Sequence, residues 1–523
     1  MVSKLDFKRN KMKKINIYHI TSSILIIVLL NFSSCEKAIQ VDPRQSIDIE
    51  TALNTVENVN AAVTGVYSRI KSARTYGRDL SIFGDALADN GRFTNKSGRF
   101  ANEARNLPGA HYNNWGTYYT GINEINLILE AIPLLVTIPA ATQAQKDSWE
   151  GQLKFLRALF YFDLAREYAY IPGAVVPALD KGGIPLLTKG VKIVADAVLV
   201  LPTRAPINDV YKLIGEDLRV AETKLGNLGI SPALATKQAA QALIARVSLY
   251  TKDYASAKTY ADLVIASTGS KLMNSGQYLS GWRNRVNPES IFEATFTINA
   301  ENIGVNESLQ TSLTTLLVSA NRAQTAGFGD LVPTITLLAD LGITSTGNGS
   351  AAAAITARST DVRNLLYEVG TTGRGVPFIE CTKYLGKNGF PNLDNGIVLR
   401  VSEMYFIRAE AQATLGSAVF NEVAARADLV TIKSNRYSDY TGSALSITDQ
   451  TLTGTTLFEE IFRQKRIEYA FEGHRFFDFK RLGRDIPKAP HYADLVFTNF
   501  LVLPALPQSE IDGNKNLVQN SGY

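Results

Sequence analysis

The stretch EGQLKFLRALFYFDLAREYAYIP, residues 150–172, has apolar side chains at helical spacing, and this pattern indicates the fold class. Its apolar positions form one row and a second row that widens it: Leu153, Leu156, Phe160 and Leu164, then Phe155, Leu159 and Phe162. A helix that is apolar over much of its circumference is buried in a globular protein. We therefore predict a central helix over residues 145–170, ended by Ile171, Pro172 and Gly173.

Segments on both sides of this helix repeat the helical pattern. Residues 51–74 carry a single apolar stripe, and residues 238–267 predict two helices around Lys252 and Asp253. This pair resembles a tetratricopeptide hairpin, because the small Ala257 and Ala261 would let two helices approach closely.

The C-terminal half predicts two more helices, over residues 399–415 and 456–481. The chain before them is looser, since residues 268–398 are rich in Gly, Thr, Ser and Asn. Within that region only residues 290–296 have a strand-like pattern, and residues 345–360 are interpreted as a loop or a surface helix.

The N-terminal region has the order of an export signal. Six basic residues precede the apolar run ILIIVLL, residues 24–30, and small residues follow the run up to Cys35. The run has seven residues, whereas about 20 are needed to cross a bilayer as a helix, so a permanent transmembrane anchor is not expected. The start is Met1 or Met12, since the leader from Met12 is complete by itself.

Phe32, Ser33, Ser34 and Cys35 resemble a bacterial lipobox, although Phe32 stands where leucine is usual. In a lipobox the cysteine is lipidated and becomes the mature N-terminus. We predict a signal peptide over residues 1–34, lipidation at Cys35 and a lipidated tether over residues 35–50. The alternative is a plain secretory signal with an incidental cysteine.

The charge balance changes when the predicted leader is removed. The 54 Lys and Arg fall to 48 and the 49 Asp and Glu also fall to 48, so the mature protein is formally neutral. This balance gives no electrostatic reason to expect nucleic acid or anionic lipid as ligand. With Cys35 lipidated, Cys381 has no partner for an internal disulfide.

Segments across nearly the whole mature chain resemble, in their order, the SusD/RagB family of surface lipoproteins. They are the central-helix stretch quoted above, NPESIFEATF (287–296), LRVSEMYFIRAEAQATLG (399–416), and the C-terminal IFRQKRIEYAFEGHRFFDFKRLGR (461–484) with the ending LPALPQSEIDGNKNLVQNSGY (503–523).

The resemblance implies a mainly α fold, a single SusD-like domain over residues 51–523 on a tetratricopeptide-like helical scaffold. The scaffold helices would lie mainly within residues 51–267 and 399–481, and residues 268–398 would form an irregular, loop-rich insertion with short β elements. The resemblance also implies an outer-membrane, cell-surface address. Such proteins cover a TonB-dependent porin and capture oligosaccharides, or in some branches peptides, for import.

Common catalytic and metal-binding motifs are missing. The four histidines are His19, His111, His474 and His491, and the chain contains no HExxH, CxxC, GxxxxGK[ST] or GxSxG pattern. We therefore expect no cofactor, no metal ion and no catalytic residues. A glycosidase would need two positioned carboxylates, and no pattern in this sequence identifies such a pair.

Two polar stretches have alternative interpretations. In FEGHRFFDFKR, residues 471–481, Glu472, His474 and Asp478 suggest a metal or acid–base site, but pairing of Glu468, Glu472 and Arg475 along one helix face is favoured. In GDALADNGRF, residues 84–93, acidic side chains could bind calcium, yet they lack EF-hand spacing, and a capped helix end followed by a turn is favoured.

The first candidate for the ligand site is HYNNWGTYY, residues 111–119. Sugar rings pack their C–H faces on aromatic rings while their hydroxyl groups need polar partners, and Tyr112, Asn114 and Trp115 supply both. Trp282 is the second candidate, because Arg283 and its neighbours surround it with donors. The alternative is that Trp115 anchors its helix in the core.

Three functions remain open from the sequence. The first is a non-catalytic lipoprotein that binds oligosaccharide or polysaccharide, or else peptides or another nutrient, and passes the ligand to a SusC-like TonB-dependent porin. The second is an enzyme that acts on the same polymers, which the missing motifs disfavour. The third is a tetratricopeptide scaffold for protein partners, which the family-like C-terminus disfavours.

Overall fold

The computed structural model describes residues 52–135, 140–193, 196, 198–226, 231–297, 299–317, 327–347, 352–388 and 390–523. Residues from Leu53 to the C-terminus form one compact unit. The predicted signal peptide, Cys35 and the tether over residues 35–50 lie outside the described residues.

Helices dominate the described chain. They are α1 (Val56–Val66), α2 (Asp79–Ala86), α3 (Ala101–Ala104), α4 (Trp115–Ala131), α5 (Gln143–Tyr168), α6 (Ile207–Lys224), α7 (Lys237–Tyr250), α8 (Tyr254–Thr268), α9 (Ser275–Gly281), α10 (Leu309–Leu313), α11 (Ile335–Asp340), α12 (Val401–Ala413), α13 (Glu422–Ser434), α14 (Ala444–Asp449), α15 (Gly454–Tyr469), α16 (Arg475–Leu482) and α17 (Gln508–Gly513).

The predicted central helix is α5, and it lies in the core. A capping box between Thr142 and Gln145 starts it, and nearly all its residues from Leu153 onward are buried. Its last carbonyl groups accept hydrogen bonds from distant side chains: Lys480 Nζ donates to Arg166 O at 2.8 Å. Helices α4 and α6 pack against α5.

The predicted tetratricopeptide-like hairpin is confirmed as α7 and α8. The turn between them places Lys252 at φ 61°, and Asp253 caps α8 by accepting a hydrogen bond from Ser256 N at 3.1 Å. Ala257 and Ala261 on α8 are fully buried, and α8 packs closely on α7. Helix α8 also packs on α12, and α12 on α13, so helical hairpins stack in succession as in a tetratricopeptide scaffold.

Most of the short strands lie between α8 and α12 in the chain. The strands are β1 (Gly91–Phe93), β2 (Ser290–Ala294), β3 (Leu331–Pro333), β4 (Ile343–Thr346), β5 (Ala354–Arg358), β6 (Tyr367–Val369), β7 (Ile379–Cys381) and β8 (Gly396–Arg400). They form antiparallel pairs β1–β3, β2–β8, β4–β5 and β6–β7.

The strand prediction for residues 268–398 was incomplete. Residues 290–296 contain β2 as predicted, but other strands also lie in this region, and residues 354–358 form β5 rather than a loop or helix. These strands are too short for their period to stand out in the sequence, and each depends on a partner that is distant along the chain or across a turn.

The prediction of one helix over residues 456–481 was wrong, because the chain turns between α15 and α16. Phe471 and Gly473 adopt positive φ angles of 63° and 80°. A Cβ atom at Gly473 would lie 1.9 Å from the carbonyl oxygen of Leu80, so only glycine fits this close approach. The predicted helix-face pairing is also wrong, since Glu468, Glu472 and Arg475 contact distant partners instead of one another.

A candidate glycan-binding surface

Trp115, the first predicted ligand residue, is the first residue of α4 and is only 3% exposed. Its ring meets that of Tyr168 edge to face at 5.1 Å and lies 4.9 Å from the ring of Tyr119. The exposure that the sequence prediction assumed is therefore absent, because the packing of α4 on α5 covers most of the indole.

Tyr112 and Asn114 are also buried, which corrects the expectation that they face a ligand in solvent. Tyr112 packs between Phe83 and Phe477, with ring centroids 5.5 and 6.2 Å away. Asn114 donates a hydrogen bond to Glu167 at 3.1 Å, and burial raises the pKa of that carboxyl well above its usual value.

Trp282 is fully buried and so differs from the predicted exposed aromatic residue. Its ring lies near those of Tyr278 and Tyr384, and the ammonium group of Lys383 lies 4.8 Å from its centroid. Arg283 is partly exposed and donates to the carbonyl oxygen of Thr382 at 2.5 Å. The ligand-binding role of these residues stays a prediction.

One part of Trp115 lines a pocket of about 290 Å³. Tyr119 and Leu187 share its apolar wall, and Glu510 and Asn514 from the C-terminal segment supply polar groups. This Trp115 pocket therefore combines aromatic, carboxylate and amide groups, the chemistry that the sequence prediction required.

The acidic groups that suggested metal or acid–base chemistry have protein partners. Glu472 pairs with Lys383 and Arg400 at 2.6 and 2.8 Å. Asp478 pairs with Lys465 at 2.6 Å. These contacts make the carboxylates part of the packing.

The same holds for the stretch over residues 84–93. Asp85 accepts hydrogen bonds from Asn90 and from Gly473 N at 2.7 and 3.0 Å, and burial raises its pKa to about 6. Asp89 pairs with Arg475 at 2.8 Å. These carboxylates connect α2 to the C-terminal helices.

A second candidate site is built around β1 and the segment that follows it. There, aromatic rings alternate with cationic side chains contributed by distant parts of the chain. We name this set the basic aromatic surface; its members are Arg92, Phe93, Lys96, Arg99, Arg105, Phe328, Arg374, Phe378 and Tyr492.

Strand pairing positions the first part of this surface. Arg92 pairs with Val332 across β1 and β3, and Thr94 N donates to Asp330 O at 2.8 Å. Asp330 in turn accepts hydrogen bonds from Ser97 at 2.7 Å and from Arg99 at 2.8 Å. The loop after β1 is thus held against the segment before β3.

Two guanidinium groups lie over the ring of Phe328. Those of Arg99 and Arg374 lie 4.8 and 4.1 Å from its ring centroid, within the range of cation–π attraction. Arg374 is exposed and presents its charge to solvent beside the half-buried ring of Phe328, whereas Arg99 is paired with the buried Asp330.

Two cationic groups also lie over the ring of Phe378, the residue just before β7. Arg92 and Lys96 lie 5.1 and 5.3 Å from its ring centroid. Lys96 also pairs at 3.4 Å with the buried Glu380, whose pKa is raised by burial. Among the described residues, the buried Nε atom of Arg92 has no hydrogen-bond partner.

Sequence reasoning missed this surface. The nearest local signal is GRFTNKSGRF, residues 91–100, in which Arg-Phe occurs twice, but its partners Phe328, Arg374, Phe378 and Tyr492 are more than 200 residues away. Such a site has no spacing motif, because tertiary contacts alone bring its parts together.

Comparisons with known proteins agree with the fold. A family model described as "Starch-binding associating with outer membrane" matches residues 39–249, and the SusD family model matches residues 382–523. Together they cover more than half of the chain, and the chain belongs to the SusD/RagB family.

Individual proteins are similar over most of their length. SusD-like protein P38 of Formosa agariphila is 24% identical, covering 91% of this chain and 93% of the relative. A SusD superfamily protein from Bacteroides thetaiotaomicron has a TM-score of 0.73 at 22% identity, covering 89% of this chain and 99% of the other. A laminarin-binding SusD-like protein has a TM-score of 0.61 at 20% identity, covering 90% and 100%.

Proteins of this family associate with the outer membrane. Within the part of the chain that the structure describes, no helix has both the length and the apolar character needed to cross a bilayer.

Proposed function

We propose that this protein is a cell-surface lipoprotein that binds oligosaccharides or polysaccharide without cleaving them, and passes them to a TonB-dependent porin. Family membership supports a glycan-binding role. The observation that carries the proposal is the basic aromatic surface, where the exposed guanidinium groups of Arg105 and Arg374, held over aromatic rings, can donate hydrogen bonds to the oxygen atoms of a glycan.

A glycan panel tests binding and cleavage together. We expect the purified protein to be retarded in native gels that contain its glycan, with no new reducing ends after incubation. Phe328→Ala should weaken retardation, because it removes the ring that holds Arg99 and Arg374. Phe420→Ala, an exposed phenylalanine outside the surface, is the matched control. New reducing ends would contradict the non-catalytic proposal.

The Trp115 pocket is a second candidate location for the ligand. Its size and its mixture of aromatic and polar groups fit a small part of a sugar chain. If substitutions in the Trp115 pocket weaken glycan retention and substitutions on the basic aromatic surface do not, the proposed site moves to the Trp115 pocket.

The transport role and the anchor are proposed from the family and from the leader. Lipidation at Cys35 would hold the protein beside its porin, since acyl chains contribute about 0.8 kcal/mol per buried methylene. A pull-down from detergent-solubilised outer membrane should recover a TonB-dependent porin. A pull-down that recovers the protein without a porin would count against the transport role.

A further inference from the structure

The rings of the basic aromatic surface are occupied by cations. Phe328 carries Arg99 and Arg374, Phe378 carries Arg92 and Lys96, and the guanidinium of Arg105 lies 4.6 Å from the ring centroid of Phe93. A neutral sugar gains most from a bare ring face. This surface instead presents guanidinium donors, with the rings as their supports.

The carboxylates on this surface do not balance its charge. Asp330 pairs with Arg99 at 2.7 Å and Glu380 with Lys96 at 3.4 Å. Arg92, Arg105 and Arg374 form no ion pair with a described carboxylate. Three positive charges therefore remain without an acidic partner among the residues that the structure describes.

The excess of positive charge is a local property of the basic aromatic surface. The chain beyond the predicted leader has equal numbers of basic and acidic residues, so cations gathered at one place leave other places acidic. Cation–π attraction offsets part of the repulsion between neighbouring guanidinium groups. An anion bound between them would remove the repulsion that remains. The planar guanidinium fork also matches the two oxygens of a carboxylate or a sulfate.

We propose that the basic aromatic surface selects anionic glycans, whose uronic acid carboxylates or sulfate esters bind Arg92, Arg105 and Arg374. This inference rests on the proposed function, because it names the class of glycan that the same surface binds.

Matched pairs of glycans test the role of the negative charge. One pair is an oligogalacturonate and its carboxyl-reduced counterpart; the other is a sulfated carrageenan oligosaccharide and its desulfated counterpart. Laminarin serves as an unrelated neutral glycan. We expect titration calorimetry to show at least about 10-fold tighter binding of one anionic member than of its neutral counterpart, the effect of losing one charge-assisted hydrogen bond. The pair that shows the difference identifies the carboxylate or the sulfate.

Three arginine variants locate the effect. Arg105→Gln and Arg374→Gln change exposed side chains and should each weaken binding of the anionic glycan about 10-fold, with the melting temperature unchanged. Arg219→Gln, which changes an exposed arginine of α6 outside this surface, should bind like wild type. Binding should also weaken between about 0.05 and about 0.5 M NaCl, because salt screens exposed charges.

The results separate this inference from the proposed function. Equal affinity for the charged and neutral members of each pair would overturn the selection of anions and leave glycan binding intact. Binding of laminarin and of no other glycan would have the same consequence. Unchanged binding by both Arg105→Gln and Arg374→Gln would also overturn it. No binding of any glycan in the panel would overturn both proposals.

Discussion

Phe93 and Tyr492, 399 positions apart in the chain, stack with ring centroids 6.1 Å apart and ring planes 15° apart. The Phe93 amide also donates a hydrogen bond to the Tyr492 hydroxyl at 3.2 Å. This contact fastens the C-terminal segment to β1, and the guanidinium of Arg105 lies over the same Phe93 ring. The geometry of the basic aromatic surface therefore depends on a residue near the end of the chain.

Tyr492→Ala should weaken glycan binding, because it removes the ring that supports Phe93 and, through Phe93, Arg105. Tyr492→Phe keeps the ring and loses only the acceptor hydroxyl, so it is the matched control and should retain most of the affinity. Titration of both variants with the same glycan checks this expectation. Equal loss in the two variants would show that the hydroxyl group, rather than the ring, maintains the surface.

Phe160→Ala should lower the free energy of unfolding by about 3–5 kcal/mol, the usual cost of emptying a buried phenylalanine site. Phe160 has no exposed surface and stacks on Tyr118 with ring centroids 4.5 Å apart. Leu415→Ala is the control, since Leu415 is 86% exposed and its loss should change stability by no more than about 0.5 kcal/mol. Urea denaturation measures both values, and an unchanged midpoint for Phe160→Ala would place this residue outside the core.

Trp115→Ala should also destabilise the fold by about 3–5 kcal/mol, since the indole is buried against Tyr168 and Tyr119. Its predicted ligand role is tested separately, by glycan retention below the melting temperature of the variant. Weaker retention by the folded variant would support binding at the Trp115 pocket. Retention equal to that of wild type would assign Trp115 to the core alone.

Glu468→Gln should cost about 3–5 kcal/mol at neutral pH, because Arg363, Arg400 and Arg436 would lose their shared buried carboxylate. Burial raises the pKa of Glu468, but these three guanidinium groups lower it more, and the resulting pKa is well below the ordinary 4.5.

The sign of the pH dependence follows from this lowered pKa. The Glu468 carboxylate contributes stability above pH 4.5, and this contribution is lost as the pH falls through the pKa of the folded state. The difference in unfolding free energy between wild type and Glu468→Gln should therefore narrow on acidification below pH 4.5. A difference that stays constant down to acid unfolding would show that the carboxylate is not the source of the stability.

Cys35→Ala should release the protein from the membrane fraction and abolish labelling with a fatty-acid analogue. Cys381→Ala is the matched control, because Cys381 is buried in β7 and cannot serve as an anchor. Cell fractionation and acyl labelling check both variants. Membrane association and labelling of Cys35→Ala at the wild-type level would contradict the lipobox prediction.

The sequence by itself determined the helical scaffold. The positions of α5, of the α7–α8 hairpin and of α12 follow from apolar residues three or four positions apart, since a helix is a local structure whose side chains at that spacing share one face. The ordered segments near Leu399 and at the C-terminus likewise indicated the family before any contact was known.

Only the tertiary structure decided which aromatic residues face solvent. Trp115 and Trp282 have neighbours typical of a sugar site, yet α4 packs on α5 and the ring of Trp282 lies among Tyr278, Tyr384 and Lys383, so both are buried. The basic aromatic surface instead joins residues from β1, from the segment before β3 and from the chain after α16. Periodicity along the chain shows which face of a helix is apolar, but it does not show which residues from distant segments meet, because those contacts depend on how the elements pack.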